Sequence, residues 1–272
     1  MSDTRPIGVF DSGIGGLTVL RALRARLPDE NFLYLGDTAR LPYGTKSAAT
    51  VTAYALQASR LLARRGVKMV VIACNTASSV ALEPLARNLA PVPLIGVVEP
   101  GARAGVAATR NGHIAVIATE GTVRGGAYMR AIHAIAPDLK VSQAACTLFV
   151  ALAEEGWIDG PIVQEAARRY LDPLFAGQAD AADTLVLGCT HFPVLAPALA
   201  KLLGPQVRLV DSAQTTADAV AFELGARGLL LTGGTAGRVN FLVTDSPERF
   251  ARAGPTFFGA PIAPDAVETI DL

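Results

Sequence analysis

The sequence predicts an α/β protein of two similar, doubly wound parallel-sheet domains that face each other across a cleft and are related by pseudo-symmetry. Three observations support this fold class. Short apolar runs alternate with longer stretches rich in Ala, Leu and Arg, a pattern typical of parallel sheets covered by helices on both faces. Small polar residues follow most of the apolar runs. The strand–turn–helix pattern of IGVFDSGIGG recurs in the second half as IAVIATEGTV.

The first half of the chain alternates predicted strands and helices. The strands are the short apolar runs at residues 7–10, 31–35, 69–73 and 94–98. The helices are the Ala- and Leu-rich stretches between them, at residues 17–27, 47–65 and 80–89. This order favours parallel strands joined by crossover helices.

The second half repeats the alternation. Its predicted strands are residues 114–118, 185–187 and 207–210, and its predicted helices are residues 125–136 and 162–174. We therefore expect a first domain of residues 1–97 plus 210–272 and a second domain of residues 98–209. In this division the tail after Asp211 returns to the first half.

The composition fits a folded chain with a large core. The chain has 272 residues, 51% of them hydrophobic and 18% charged, so a substantial core can form. Lys and Arg together number 24, as do Asp and Glu. A neutral chain has no long-range attraction for nucleic acid or an anionic membrane. No apolar run approaches the roughly 20 residues of a membrane helix. We expect neither nucleic acid nor membrane as a partner.

The N-terminal segment MSDTRPIGVFDSG carries no hydrophobic stretch of the signal-peptide kind. We therefore expect a cytoplasmic protein. The chain has three cysteines, an odd number that argues against a disulfide framework in such a protein. The cysteines are predicted to be thiols.

Polar residues follow the predicted strands at the ends where parallel sheets bind ligands. The segments after the strands are DSGIGG, GDTARLPYG, CNTAS, EPG, TEGTV, GCTHFP and DSA. Turns and helix caps account for some such residues in any α/β scaffold. Their presence after nearly every strand predicts a shared site.

Cys74 and Cys189 have nearly the same local sequence, one in each half. They lie in MVVIACNTA and LVLGCTHFP, each after an apolar run and before a predicted helix start. Backbone N–H groups at a helix start stabilise a thiolate, and the polar residues after each cysteine suit helix capping. Cys146, in QAACTLFV, lacks this setting and is predicted to be structural.

Three chemistries could use these cysteines. A metal site could take Cys74, Cys189 and His191 as ligands, although no paired spacing such as CxxC is present. A cysteine hydrolase could use His191 as its base, which leaves one cysteine unexplained. Racemisation or epimerisation uses both, because one thiolate removes a proton from carbon and the opposite thiol returns one to the other face. GIGG is not the GxGxxG pattern and no Walker motif occurs, so no cofactor is predicted.

Longer motifs run along nearly the whole chain. They are IGVFDSGIGGLTVL, YLGDTARLPYGTKS, VVIACNTAS, GVVEPGA, ATEGTVRGGAY, LFVALAEEG, LVLGCTHFPVL, LVDSA and TDSPERF. In content and order this set resembles the glutamate racemases of the aspartate/glutamate racemase superfamily. The resemblance implies cofactor-independent interconversion of L- and D-glutamate, and a supply of D-glutamate for peptidoglycan synthesis in the bacterial cytoplasm.

The resemblance also implies roles for individual residues. Cys74 would deprotonate D-glutamate with Asp11 nearby, and Cys189 would act on L-glutamate with support from His191 and Glu154. The substrate contacts that it implies are Asp11, Ser12, Tyr43, Gly44, Asn75, Thr76, Thr190 and His191. Thr119 and Thr122 are expected near the substrate amino group, a weaker inference.

The chain departs from the family pattern in places. Gly125 and Gly126 stand where many members have serine, and Ala151 stands where proline is common. The N-terminal extension of members activated by a cell-wall precursor does not precede the first motif, so we expect constitutive activity. A homodimer is compatible with the resemblance. A decarboxylase or cis–trans isomerase on this scaffold, and an amino-acid-binding sensor, are the alternatives.

Overall fold

The computed structural model describes residues 3–175, 180–233 and 236–272, and its strands form two parallel sheets. The strands are Ile7–Asp11 (β1), Phe32–Gly36 (β2), Met69–Ile72 (β3), Leu94–Gly96 (β4), His113–Ala118 (β5), Lys140–Ala145 (β6), Thr184–Gly188 (β7), Arg208–Asp211 (β8), Val239–Val243 (β9) and Val267–Thr269 (β10).

Helices connect these strands. They are Leu17–Arg26 (α1), Ala48–Arg64 (α2), Asn75–Val80 (α3), Leu82–Leu89 (α4), Val98–Ala108 (α5), Glu120–Gly125 (α6), Ala127–Ile135 (α7), Leu148–Glu154 (α8), Pro161–Phe175 (α9), Ala196–Leu203 (α10), Ser212–Ala226 (α11) and Pro247–Phe258 (α12). Short 3₁₀ helices cover Tyr43–Thr45, Phe192–Leu195 and Pro264–Ala266.

The two sheets share one strand order. The first sheet has six strands in the order β10-β9-β2-β1-β3-β4, and the second has four in the order β6-β5-β7-β8. The arrangement β2-β1-β3-β4 thus repeats as β6-β5-β7-β8. β1 corresponds to β5, and β3 corresponds to β7. The predicted fold class, two similar parallel-sheet halves related by pseudo-symmetry, is confirmed.

Helices cover both faces of the first sheet. On one face Ile7, Val9 and Val71 pack against α1, α11 and α12. On the other face Phe10 and Ile72 pack against α2 and α4. Because successive residues of a strand point to opposite faces, β1 and β3 are buried on both sides. Their sequences are therefore apolar without interruption.

The second sheet is covered in the same way. Ala115, Ile117 and Leu187 pack against α8, α9 and α10 on one face. Val116 and Val186 pack against α5 and α7 on the other. Each sheet is thus the middle layer of its own half, and its polar strand ends are free to form a site.

Two helices cross between the halves. α5 follows β4 of the first sheet, yet Val98 and Ala102 pack with residues of the second sheet. α11 follows β8 of the second sheet, yet Ala217 and Val220 pack with residues of the first. The tail after Asp211 adds α11, β9, α12 and β10 to the first half.

The predicted strands and helices occur where the sequence places them, with three differences. The strand predicted at residues 94–98 ends at Gly96, because α5 begins at Val98. The helix predicted at residues 80–89 is preceded by α3 and begins later, as α4. Gly126, with a φ of 62°, separates α6 from α7, so the helix predicted at residues 125–136 begins after it.

Three strands were not predicted: β6, β9 and β10. β6 reads KVSQAA, is partly exposed and pairs only with β5 at the edge of its sheet, so it lacks the apolar run of a central strand. β10 has three residues and lies at the other sheet's edge. Within the three described ranges, no helix is both long and apolar enough to cross a membrane.

Candidate active site

The two cysteines of the matched motifs lie at equivalent places in the two halves. Cys74 follows β3 and Cys189 follows β7, the corresponding strands of the two sheets. Both are nearly inaccessible, with 5% and 6% of their surface exposed. Both are free thiols, as is the fully buried Cys146. The prediction that the cysteines are thiols is therefore confirmed.

Cys74 is the N-cap residue of α3 and caps it with its own sulfur. The Cys74 Sγ accepts a hydrogen bond from the Ala77 N–H at 3.5 Å and lies 3.4 Å from the Ser12 Oγ. The polar residues after the cysteine do not cap this helix, contrary to expectation. Burial and the charge of Asp11 raise the pKa of Cys74 to about 12, although its hydrogen bonds with Ser12 and Ala77 act to lower that pKa. Cys74 is therefore a protonated thiol at neutral pH.

Asp11 ends β1 and is fully buried. Its Oδ2 accepts a hydrogen bond from the Gly13 N–H at 2.9 Å, whereas its Oδ1 has no partner among the described residues. Burial raises the pKa of Asp11, and the charge of His191 and the backbone N–H groups oppose this. Asp11 does not cap α1, which begins after Gly16. A buried oxygen without a partner is suited to a ligand's donor group.

Cys189 is the first member of a chain of polar groups. Its Sγ lies 3.8 Å from Nδ1 of His191, and Nε2 of His191 lies 3.1 Å from the Glu154 carboxylate. The second oxygen of Glu154 accepts from Arg249 at 3.0 Å. From its local sequence LAEEG alone, Glu154 is expected to be an exposed residue at a helix end. The structure corrects this, since its side chain is 12% exposed.

The surroundings of His191 favour its charged form. Burial alone would lower the pKa of His191, but its interactions with Cys189 and Glu154 raise that pKa to about 10. Burial alone would raise the pKa of Glu154, but the hydrogen bond and charge of His191 and the charge of Arg249 lower that pKa. At neutral pH an imidazolium therefore lies between the Cys189 sulfur and a carboxylate.

The glycines of the DSGIGG loop allow this close packing. A Cβ on Gly15 would lie 2.4 Å from Nδ1 of His191 and 2.5 Å from Oγ1 of Thr190. Thr18, in the first turn of α1, donates its hydroxyl to the Thr190 carbonyl at 2.9 Å. The loop after β1 thus packs directly against the loop of the second cysteine.

The GDTARLPYG loop contacts the second half through its glycine. A Cβ on Gly44 would lie 2.7 Å from Cβ of Thr119. The Tyr43 hydroxyl is buried and donates to the carboxylate of Asp37. Asp37 also accepts from Arg40 at 2.7 Å. The Tyr43 hydroxyl is thus bound within the loop, so its backbone and that of Gly44 are the parts left for a ligand.

Polar side chains join the two halves beside Cys74. Oγ1 of Thr76 lies 3.0 Å from Oγ1 of Thr119 and 3.2 Å from that of Thr122. The Tyr128 hydroxyl donates to Oδ1 of Asn75 at 2.7 Å. The structure therefore brings Asn75 and Thr76 together with the threonines of the second half.

Sequence reasoning missed the supporting residues of the site: Thr18, Asp37, Tyr128 and Arg249. All four lie inside quoted motifs, namely IGVFDSGIGGLTVL, GDTARLPYG, ATEGTVRGGAY and TDSPERF. Their membership of those motifs was the available signal. The partners of Asp37 named above lie in its own loop, whereas those of Thr18, Tyr128 and Arg249 lie far along the chain and are known only once the halves are packed together.

The metal alternative lacks a ligand set. Among residues 3–175, 180–233 and 236–272, no three side chains of His, Cys, Asp or Glu are placed to hold one ion. The three side chains proposed for that site, Cys74, Cys189 and His191, are all within these ranges. What the arrangement offers is a pair of buried sulfurs on equivalent loops, with hydroxyls and amides around them.

The family comparison gives the class of protein to which this fold belongs. Residues 17–220 match the model of the Asp/Glu/Hydantoin racemase family. The chain belongs to this family.

The similar proteins are glutamate racemases. That of Geobacter metallireducens is 49% identical over 94% of this chain and 93% of the relative. That of Neisseria meningitidis is 47% identical over 98% of this chain and 97% of the relative. The resemblance found in the motifs is therefore confirmed.

Solved structures of glutamate racemases share the whole fold. The Francisella tularensis enzyme, crystallised in complex with D-glutamate, is 36% identical and superposes with a TM-score of 0.90, covering 99% of this chain and 98% of that one. The Thermus thermophilus enzyme, in complex with β-chloro-D-alanine, is 46% identical with a TM-score of 0.88, covering 100% of this chain and 99% of that one.

Proposed function

We propose that this protein is a glutamate racemase that interconverts L- and D-glutamate with Cys74 and Cys189 as its two acid/base groups. One observation carries the proposal: the two buried cysteines follow β3 and β7, equivalent strands of opposite halves. A reaction that inverts a carbon centre needs one group on each face of a planar intermediate. The names of the similar relatives and the D-glutamate complex of the Francisella enzyme support glutamate as substrate.

The charges beside the two cysteines suit the step that converts L- to D-glutamate. The His191 imidazolium lies beside the Cys189 sulfur and stabilises its thiolate. Cys74 is a protonated thiol. In the proposed step, the Cys189 thiolate takes the α-proton of L-glutamate and the C–H electron pair passes to the carbanion. The Cys74 S–H then gives its proton to the opposite face, which yields D-glutamate.

The site must stabilise the carbanion without an arginine or lysine clamp. Desolvation strengthens hydrogen bonds to the substrate carboxylates. The hydroxyls of the partly buried Ser12 and of the buried Thr76 and Thr190, and the buried Asn75 amide, are candidates for them. The orphaned Oδ1 of Asp11 is an acceptor that suits the substrate ammonium group. For the reverse direction, Cys74 must be the thiolate, and Asp11 is the nearby carboxyl group.

The proposal includes the division of the chain and the setting of the enzyme. The two domains are residues 1–97 plus 210–272 and residues 98–209. The crossing of α5 and α11 between the halves supports this division, although the boundary at residue 210 cuts the end of β8. As the resemblance implies, the enzyme would supply D-glutamate for peptidoglycan in the bacterial cytoplasm.

The test is racemisation of glutamate by the purified, reduced protein without added cofactor. We expect L-glutamate to become an equal mixture of enantiomers by chiral chromatography, and L-aspartate to react far more slowly. A Cys74→Ser/Cys189→Ser variant purified in parallel controls for contaminating racemases. Failure of the wild type to form D-glutamate would refute the proposal.

A further inference from the structure

We infer that Tyr128 is a positioning residue, which fixes the Asn75 amide so that its NH₂ group faces the substrate as a hydrogen-bond donor for a carboxylate. The inference rests on the proposed function and deepens it, because it names the second-half residue that prepares the first-half loop for substrate. Tyr128 lies in the motif ATEGTVRGGAY, and the sequence analysis gave it no role.

The contact between the two side chains is buried and spans the halves. Tyr128 is on α7 of the second half, and Asn75 begins α3 directly after Cys74. The Tyr128 hydroxyl lies 2.7 Å from Oδ1 of Asn75. Tyr128 is fully buried and Asn75 is 3% exposed. In such a place the amide cannot exchange this partner for solvent.

The contact decides which end of the amide is available. Burial raises the pKa of Tyr128, so the phenol keeps its proton and donates it. The donor occupies Oδ1 of Asn75, and Nδ2 is left without a hydrogen-bond partner among the described residues. A buried N–H without a partner is costly. A substrate carboxylate is an acceptor that removes this cost, and the proposed reaction brings one beside Cys74.

Two glycines allow the backbone to approach the tyrosine side chain closely. A Cβ on Gly101 of α5 would lie 3.1 Å from the Tyr128 oxygen, and a Cβ on Gly188 would lie 2.9 Å from Cε2 of the ring. Gly188 is the last residue of β7 and directly precedes Cys189. The ring therefore packs closely against the residue before Cys189, while its hydroxyl donates to the residue after Cys74.

Removal of the hydroxyl should weaken substrate binding through Asn75. In Tyr128→Phe the ring remains, but Oδ1 of Asn75 loses its donor and the amide is free to rotate. We expect the KM for both enantiomers to rise about 10-fold, the effect of losing one hydrogen bond to a charged group, with a smaller change in kcat. A merely structural role would instead lower the active fraction, and so the apparent kcat, at an unchanged KM.

The experiment is a double-mutant cycle measured by chiral chromatography. It uses the wild type, Tyr128→Phe, Asn75→Ala and the double variant. Tyr170→Phe is the matched control. Tyr170 lies on the partly exposed α9, and its hydroxyl accepts a hydrogen bond from the Leu148 N–H at 3.3 Å. We expect the KM of this control to match the wild type. In the Asn75→Ala background, Tyr128→Phe should have no further effect on KM.

The outcomes separate the two proposals. If the wild type racemises glutamate and Tyr128→Phe leaves the KM within about 2-fold, only the inference about Tyr128 is overturned. An equal rise in KM with and without Asn75 overturns it as well. If the wild type does not racemise glutamate, the proposed function fails and the inference fails with it. Should Asn75→Ala not fold, the KM of Tyr128→Phe alone decides.

Discussion

Nε2 of His191 lies 3.1 Å from the Glu154 carboxylate, and their side chains are only 9% and 12% exposed. The pair joins α8 to the loop after β7, so a carboxylate of one element sets the charge of an imidazole on another. Nδ1 of the same ring faces the Cys189 sulfur. The pKa of His191, raised from 6.5 to about 10, is therefore linked both to stability and to the state of the cysteine.

Glu154→Gln should change how stability depends on pH. Because the pKa of His191 in the folded protein lies above its unfolded value of 6.5, its charged form stabilises the fold fully below pH 6.5. That contribution is lost as the pH rises towards about 10. The difference in Tm between wild type and Glu154→Gln should therefore be largest from pH 4.5 to pH 6.5, where both groups are charged, and should shrink towards pH 10. Glu155→Gln, at the exposed neighbouring residue, is the control. A Tm difference between wild type and Glu154→Gln that stays constant with pH would contradict the proposed link between the charge of His191 and stability.

Cys74→Ser and Cys189→Ser should each reduce racemisation by at least about 100-fold. A serine hydroxyl is far less acidic than a thiol, so it neither ionises to a base nor donates its proton readily. The fold should persist, as judged by far-UV circular dichroism. Cys146 lies in the apolar cluster beside α8, outside the two matched loops. Cys146→Ala should therefore keep racemase activity within about 2-fold of the wild type. Near-normal turnover by either serine variant would contradict the assignment of two bases.

Gly15→Ala should impair catalysis more than stability. The new methyl group would lie 2.4 Å from Nδ1 of His191, so the imidazole must move away from Cys189. We expect kcat to fall about 10-fold or more, as for a small misplacement of a catalytic group. Gly225→Ala on α11 meets no atom within 4 Å and should be stabilising by about 0.5–1 kcal/mol. Steady-state kinetics and thermal unfolding of the two variants test this prediction. Equal kcat values for Gly15→Ala and Gly225→Ala would contradict it.

Lys68→Ala should destabilise the protein strongly, far from the site. The side chains of Lys68 and Glu30 are 0% and 1% exposed, and their charged atoms lie 2.6 Å apart. Loss of one partner leaves a buried charge unpaired, which costs about 3–5 kcal/mol. Arg26→Ala, which breaks the exposed pair with Asp218, should cost about 1 kcal/mol or less. Urea unfolding measures both, and equal losses would show that burial does not set the cost.

The sequence predicted the parts of the molecule that local pattern determines. Central strands such as β3 and β7 are buried on both faces, so their apolar runs are continuous and recognisable. The cysteines follow directly from these runs. β6 was missed because an edge strand needs no such run, and half of the residues in its sequence KVSQAA are polar.

Contacts between distant parts of the chain were beyond local pattern. Glu154 looked exposed at a helix end because its partners, His191 and Arg249, lie much further along the chain. The contact of Tyr128 with Asn75 likewise requires the two halves to be packed together. The family motifs contained these supporting residues but did not show which residues they contact. The structure gives those contacts.

The most direct test of the two-base account is the early incorporation of deuterium from D₂O, measured by mass spectrometry on separated enantiomers. If Cys189 takes the proton of L-glutamate and Cys74 delivers a solvent-exchanged one, the D-glutamate formed first carries deuterium at Cα, while the remaining L-glutamate stays protonated. Retention of the original proton in the product, or equal labelling of substrate and product from the start, would mean that one group serves both faces and would contradict the account.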